Sequence, residues 1–147
     1  MEAAMSDPEI ELTETADERL EALINDGLNA FNDDVTGYSD RRPLSVVVRD
    51  PESGEILGGA KGRTSLGVLF VELFWLPQRL RGSGLGSRIL RMMEEEGRRR
   101  GCRAGILFTI SFQAPDFYRR HGWRVFGEVP CEPPGTARVF MTKELVG

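Results

Sequence analysis

Arg81-Gly82-Ser83-Gly84-Leu85-Gly86-Ser87 is the stretch of this chain whose residue types suit the binding of an anion. Small residues let a backbone come close to a ligand. A helix opening at Gly84 has first-turn amides without partners of their own, and its dipole favours negative charge there. Arg81 adds a cation beside them. Together these make a phosphate seat. Glycines at a strand-to-helix turn also serve close helix–sheet packing, and the segment by itself leaves both readings open. A P-loop would end in Gly-Lys-Ser/Thr, whereas Gly86-Ser87-Arg88 has no lysine. A dinucleotide fingerprint spaces its glycines G-x-G-x-x-G early in a repeated βαβ layout; here the spacing is G-x-G-x-G, after three or four strands.

Other reactive side chains are sparse. Glu72 is the only ionisable residue in the apolar run Val68 to Leu76, and a charge placed there needs a reason. A catalytic carboxylate is one reason; a polar pocket edge or an arginine partner is another. His121 is the single histidine and stands just before Gly122, where an imidazolium caps the last carbonyls of a helix. With Cys102 and Cys131 the only cysteines, a Cys/His metal cage and a disulfide framework are both disfavoured. No metal is expected. The two thiols read as reduced, in a cytoplasmic protein.

The elements that must position these residues follow from periodicity. Ile10 and Leu12 alternate with Glu11 as a short first strand. Thr15-Ala16-Asp17-Glu18 has the capping-box pattern, and Leu20, Leu23, Ile24, Leu28 and Phe31 share one helical face behind it. A loop is expected over 32–42. Leu44 to Arg49 and Ile56 to Arg63 form a hairpin across Asp50-Pro51-Glu52-Ser53-Gly54. Gly58, Gly59 and Gly62 mark the second strand as bent or closely approached by another backbone. Val68 to Leu76 reads as a central strand covered on both faces.

Gly84 to Arg100 is the clearest helix. Leu85, Ile89, Leu90, Met92 and Met93 supply its buried side, and Glu94–Arg98, Glu95–Arg99 and Glu96–Arg100 pair at i,i+4. Ala104 to Ile110 is a second buried strand, and Ala114-Pro115 opens a short helix that Gly122 closes. Trp123 to Val129 and Ala137 to Thr142 are the last strands. The order β-α-β-β-β-α-β-α-β-β predicts one α/β sheet with helices on both faces.

Bulk properties set the class. The 147 residues suit one domain, with residues 1–8 a loosely ordered lead-in and Met5 an alternative start. Apolar residues at 40% and charged residues at 29% describe a globular chain. A formal charge of −4 disfavours a general nucleic-acid binder, and no apolar run reaches membrane-spanning length. Arg98-Arg99-Arg100 is then a solvated helix end.

Arg81-Gly82-Ser83-Gly84-Leu85-Gly86 matches the Q/R-x-x-G-x-G/A signature of the GNAT superfamily of N-acetyltransferases, and the chain resembles that family. A second segment agrees. Members often carry N-x-x-A-x-x-φ-Y-x-x-x-G-F, with φ apolar, and Ser111 to Trp123 reads S-F-Q-A-P-D-F-Y-R-R-H-G-W. Ala114, Phe117, Tyr118 and Gly122 fall in register; Ser111 stands where asparagine is common, and Trp123 replaces phenylalanine. The resemblance spans about Ile10 to Leu145. It implies a mixed, mostly antiparallel sheet of six to seven strands with helices on both faces. It also implies acetyl-CoA as acyl donor, a primary amine as acceptor, and direct attack in a ternary complex. Many members dimerise, so a homodimer is compatible.

The resemblance further assigns sites. The strand before the glycine turn splays from its neighbour, so that the backbone of Phe74, Trp75 and Leu76 pairs with the pantetheine arm and an amide polarises the thioester carbonyl. The pyrophosphate sits on Arg81 to Ser87, and Ser111 adjoins the cofactor. An amine with a pKa of about 10.4 must lose a proton before attack, and Glu72 is the candidate base. Tyr118 matches the tyrosine that protonates the departing thiolate; a core tyrosine is the alternative. Trp75 and Trp123 read as packing residues, with Trp75 at the border of the acceptor pocket. A non-catalytic acyl-CoA-binding module of the same fold is the competing function.

Overall fold

In the computed structural model, which describes residues 6–146, the elements run α1 (Glu18–Thr36), β1 (Arg41–Arg49), β2 (Ile56–Ser65), β3 (Val68–Trp75), a 3-10 turn (Gln78–Leu80), α2 (Leu85–Arg99), β4 (Ala104–Ile110), α3 (Pro115–Arg120), β5 (Arg124–Cys131) and β6 (Thr136–Glu144). The second start at Met5, and the lead-in before Ser6, lie outside the described residues. Two compact units are present, one ending at Ser39 and the next beginning at Asp40.

The first unit holds α1. Asp17, not Thr15, is its N-cap: the Asp17 carboxylate accepts a hydrogen bond from the Arg19 amide at 2.9 Å. Asp17 stands directly before the first helical residue with extended backbone, which is the position a capping oxygen must take. The helix also runs further than expected, through Asp33-Asp34, because its stop signal is Gly37. That glycine takes φ 82 and donates its N–H to the Asp33 carbonyl. The expected first strand at Ile10–Leu12 is absent, and Ile10 is 97% exposed. A strand exists only by pairing, and three alternating residues supply too few hydrogen bonds to hold one.

The second unit is a six-stranded sheet in the order β1-β2-β3-β4-β6-β5. Every pairing is antiparallel except β3 with β4, which α2 joins as a crossover. Alternation sorts its residues. Leu69 and Val71 of β3, Leu107 of β4 and Val139 and Met141 of β6 meet Ile89, Leu90 and Met93 of α2 in one core. Phe70 and Phe108 point the other way, where Arg63 covers Phe70 and Phe140 contacts Phe108. Gly97 brings α2 close, since a Cβ there would meet Leu69 and Leu145 at 3.3 Å. Met92, expected inside, is half exposed, one residue's rotation away from the fully buried Met93.

Glycines shape β2 as expected. A Cβ at Gly62 would lie 1.9 Å from the Phe70 carbonyl oxygen, and one at Gly59 would lie 2.0 Å from that of Val46. These close approaches flank a bulge. Gly62 pairs with Val71 and Lys61 pairs with Leu73, so Glu72 is the extra residue of β3.

The acid–base pairs of α2 also differ from simple i,i+4 spacing. Glu94 is 3% exposed, and besides Arg98 at 3.7 Å it takes Lys143 at 2.5 Å and the Trp123 indole N–H at 3.2 Å. This is a buried network joining α2, β6 and the end of α3. Arg99 turns to Glu96 rather than Glu95, and Arg100 joins the same Glu96 at 2.8 Å. The Arg100 guanidinium also donates to the Pro43 carbonyl and to Thr64 Oγ1, so it ties α2 to β1 and β2. The arginine run is therefore only partly a solvated helix end.

Candidate active site

The pairing of β3 with β4 ends early. It runs from Val68 with Ala104 to Val71 with Leu107, and stops. Beyond it, Leu73, Phe74 and Trp75 stay with β2, while Phe108, Thr109 and Ile110 stay with β6. The two strands therefore part, and the β3 backbone from Glu72 to Trp75 has no strand partner on that edge. A cleft of about 920 Å³ opens at the fork, lined by Glu72, Phe74, Trp75, Leu76, the glycine turn and Tyr118.

The glycine turn follows directly from the end of β3. The Arg81 Nε donates to the Leu76 carbonyl at 2.8 Å, which fastens the turn to the strand. Gly82 and Gly84 take φ of 84 and 86, conformations that side-chain-bearing residues rarely adopt. Gly84 is the N-cap of α2 and offers no capping side chain. The amides of Leu85, Gly86 and Ser87 are thus left for an outside acceptor, at the positive end of the helix dipole. Gly86 lets α2 meet α3: a Cβ there would touch the Phe117 ring at 3.4 Å. Arg81, Gly82, Gly84, Gly86 and Ser87 line the cleft. Leu85 instead packs on the core, and the exposed Ser83 is not among the lining residues.

Tyr118 is 7% exposed and sits among aromatic edges, with ring centroids 6.4 Å from Phe74, 5.1 Å from Phe117 and 6.2 Å from Trp123. Burial pushes its phenol up from 10.0 to about 12, so it remains a proton donor at neutral pH. His121 does not cap α3 with its ring. The imidazole Nε2 lies 2.9 Å from Ser87 Oγ and packs edge-on to Phe117 at 4.9 Å, linking the end of α3 to the first turn of α2.

Glu72 reaches the cleft and also meets Arg63 at 3.4 Å, with its side chain 34% exposed. It does not share a face with Phe74. The extra residue at the bulge breaks the alternation, so Glu72 stays with Phe70 and Arg63 while Phe74 turns towards Phe117 and Tyr118. Ser111 is not brought to the cleft lining. Its Oγ accepts from the Ala137 amide at 2.9 Å, while its own N–H bonds the Ala137 carbonyl, so it secures β6.

Gln113, Phe108, Arg120 and Arg138 are among the lining residues that sequence reasoning missed. Gln113 closes the open end of β4, its Oε1 accepting from the Ile110 amide at 3.0 Å and from Thr109 Oγ1 at 3.2 Å. Phe108, Arg120 and Arg138 also stand in the wall. Alternation along β4 could have set Phe108 apart from the core face, but nothing local marks the two arginines. Among the described residues no group of three His, Cys, Asp or Glu side chains converges on a point, and no helix is long and apolar enough to cross a membrane.

Comparison with known proteins agrees with this geometry. The family model for the acetyltransferase (GNAT) family matches residues 6–123. An acetyltransferase of Agrobacterium fabrum is 36% identical over 132 residues, covering 90% of this chain and 96% of its own. The blasticidin-S acetyltransferase of Streptomyces morookaense is 38% identical over 113 residues, covering 75% and 83%. Among solved structures, an acetyltransferase of Agrobacterium tumefaciens superposes with a TM-score of 0.85 at 32% identity, over 93% of this chain and 99% of that one. One from Bacillus cereus gives 0.72 at 29% identity, over 91% and 97%. With the parted strands and the glycine turn beside them, these likenesses establish that the chain belongs to the GNAT family and is an acyl-CoA-dependent acetyltransferase.

Proposed function

We propose that the enzyme moves the acetyl group of acetyl-CoA to a primary amine by direct attack within a ternary complex. The parting of β3 and β4 beside a helix start with unpaired amides carries this reading. The cleft fits the donor. Its free strand edge matches a pantetheine arm of amides, and its glycine turn matches a pyrophosphate. Arg120 adds a cation from α3 for a further phosphate.

In this reading the roles divide along the cleft. Glu72, reached either directly or through water, takes the proton of the incoming ammonium so that the nitrogen lone pair can attack the acetyl carbon. A β3 amide near Phe74 to Leu76 holds the carbonyl oxygen as charge gathers there. When the carbon–sulfur bond breaks, the sulfur leaves with the electron pair and takes a proton from Tyr118. Burial keeps that phenol protonated for the step. Arg63 competes for the Glu72 oxygens and fixes the carboxylate at the edge of the fork.

Calorimetry with acetyl-CoA, together with a thiol-release assay over an amine panel, tests the proposal. The panel includes blasticidin-S, because a relative 38% identical is named for it. Amine-stimulated release of CoA is the expected result. Tight acetyl-CoA binding with no release for any amine would point instead to a non-catalytic module.

A further inference from the structure

Arg138 is a cation of the cleft that enters none of the ion pairs among the described residues. Its place follows from register. Arg138 pairs with Ile110 and Phe140 pairs with Phe108, so all four side chains share one face of the sheet. The Arg138 guanidinium accordingly lies over the Phe108 ring, 5.5 Å from its centroid. Gly105, on the alternate set of β4, faces Trp123 and through it Glu94 of α2. Arg138 therefore reaches the fork from the face turned away from α2. The glycine turn opens at the start of α2, on the other side. A phosphate held at the turn is not the natural partner of this guanidinium.

The charges on that side of the cleft are few. Glu72 is already met by Arg63 at 3.4 Å. Leu73, Trp75 and Phe108 are apolar. The uncompensated charge is thus positive, and it sits on a rigid strand against an aromatic ring. A planar guanidinium with free N–H groups matches a carboxylate in bidentate fashion.

Resting on the transfer reading above, we infer that Arg138 is a specificity-determining residue that binds a carboxylate on the acceptor, so that the acceptor class is an amine also carrying a carboxylate. An amine entering beside Glu72 is then held at its far end by Arg138. A polycationic amine meets an unmatched positive charge in the same place, which selects against it.

Matched acceptor pairs test this: amino acids against their own amides, with spermidine as the polycation, using thiol release at saturating acetyl-CoA. The expected result is a kcat/KM at least about ten-fold higher for the carboxylate member of a pair, and higher than for spermidine. Arg138→Gln should collapse that ratio towards one by raising KM for the carboxylate acceptor, with KM for acetyl-CoA unmoved. Arg138→Lys should restore part of it, since charge returns without the fork. Amides or spermidine that match the carboxylates would overturn the inference while leaving the transferase reading intact. So would an Arg138→Gln variant that loses acetyl-CoA affinity instead. A protein whose release of CoA no amine stimulates would overturn both.

Discussion

Glu72 and Arg63 meet at 3.4 Å across the bulge where β3 takes one residue more than β2. The contact puts a carboxylate at the fork between β3 and β4, on the face opposite the Tyr118 ring. On the proposed roles, the Glu72 base and the Tyr118 acid would act on a substrate in the fork from opposite faces of the sheet.

If Glu72 is the base, Glu72→Gln lowers turnover near neutral pH by about a hundred-fold. The loss shrinks as pH rises and more of the amine is already deprotonated. Acetyl-CoA affinity, measured by calorimetry, stays within about two-fold of the parent. Equal turnover at every pH would remove Glu72 from the mechanism.

Gly84→Ala weakens acetyl-CoA binding by about ten-fold, because a Cβ at φ 86 costs roughly 1–2 kcal/mol and rotates the α2 amides off their anion. Gly86→Ala has a much smaller effect, since its Cβ meets the Phe117 ring at 3.4 Å and Leu76 at 3.9 Å, both ordinary contacts. Titration calorimetry on both variants reads the difference. Equal losses at the two positions would mean that packing, not backbone conformation, governs the turn.

Tyr118→Phe cuts turnover by about ten-fold or more if the phenol supplies the thiolate's proton. The same group makes a pH prediction. Its folded value, raised by burial to about 12, lies above the unfolded value, so the folded state holds the proton more tightly. The resulting stability is fully present below about pH 10 and is lost as pH climbs towards 12. Urea midpoints measured between pH 9 and 12 should fall less steeply in Tyr118→Phe than in the parent; parallel curves would contradict the burial account.

Gly105→Ala is a stability test away from the chemistry. A Cβ there would stand 2.5 Å from Trp123 Cη2, so the ring must shift and with it the indole bond to Glu94. Overpacking of this kind costs about 1–3 kcal/mol. Urea unfolding should show that loss, while acetyl-CoA binding persists in the folded fraction.

The glycine turn and the helix it opens were legible in the sequence because they are local. Gly82 and Gly84 stand next to the helix they start, and backbone conformation and helix polarity depend on neighbours in the chain. The short helix carrying Tyr118 was legible for the same reason, with Pro115 at its first turn and Gly122 at its end. What depends on pairing was not. The face of Glu72 is set by a bulge that exists only because β2 opposes β3, and alternation along β3 alone does not show it. Ser111 looked like part of the site by motif position, yet its hydroxyl is taken by Ala137 of β6. Arg120 and Arg138 carry no local mark. They become part of the cleft because the chain brings the end of α3 and the start of β6 to the fork between β3 and β4, and only the assembled sheet decides that.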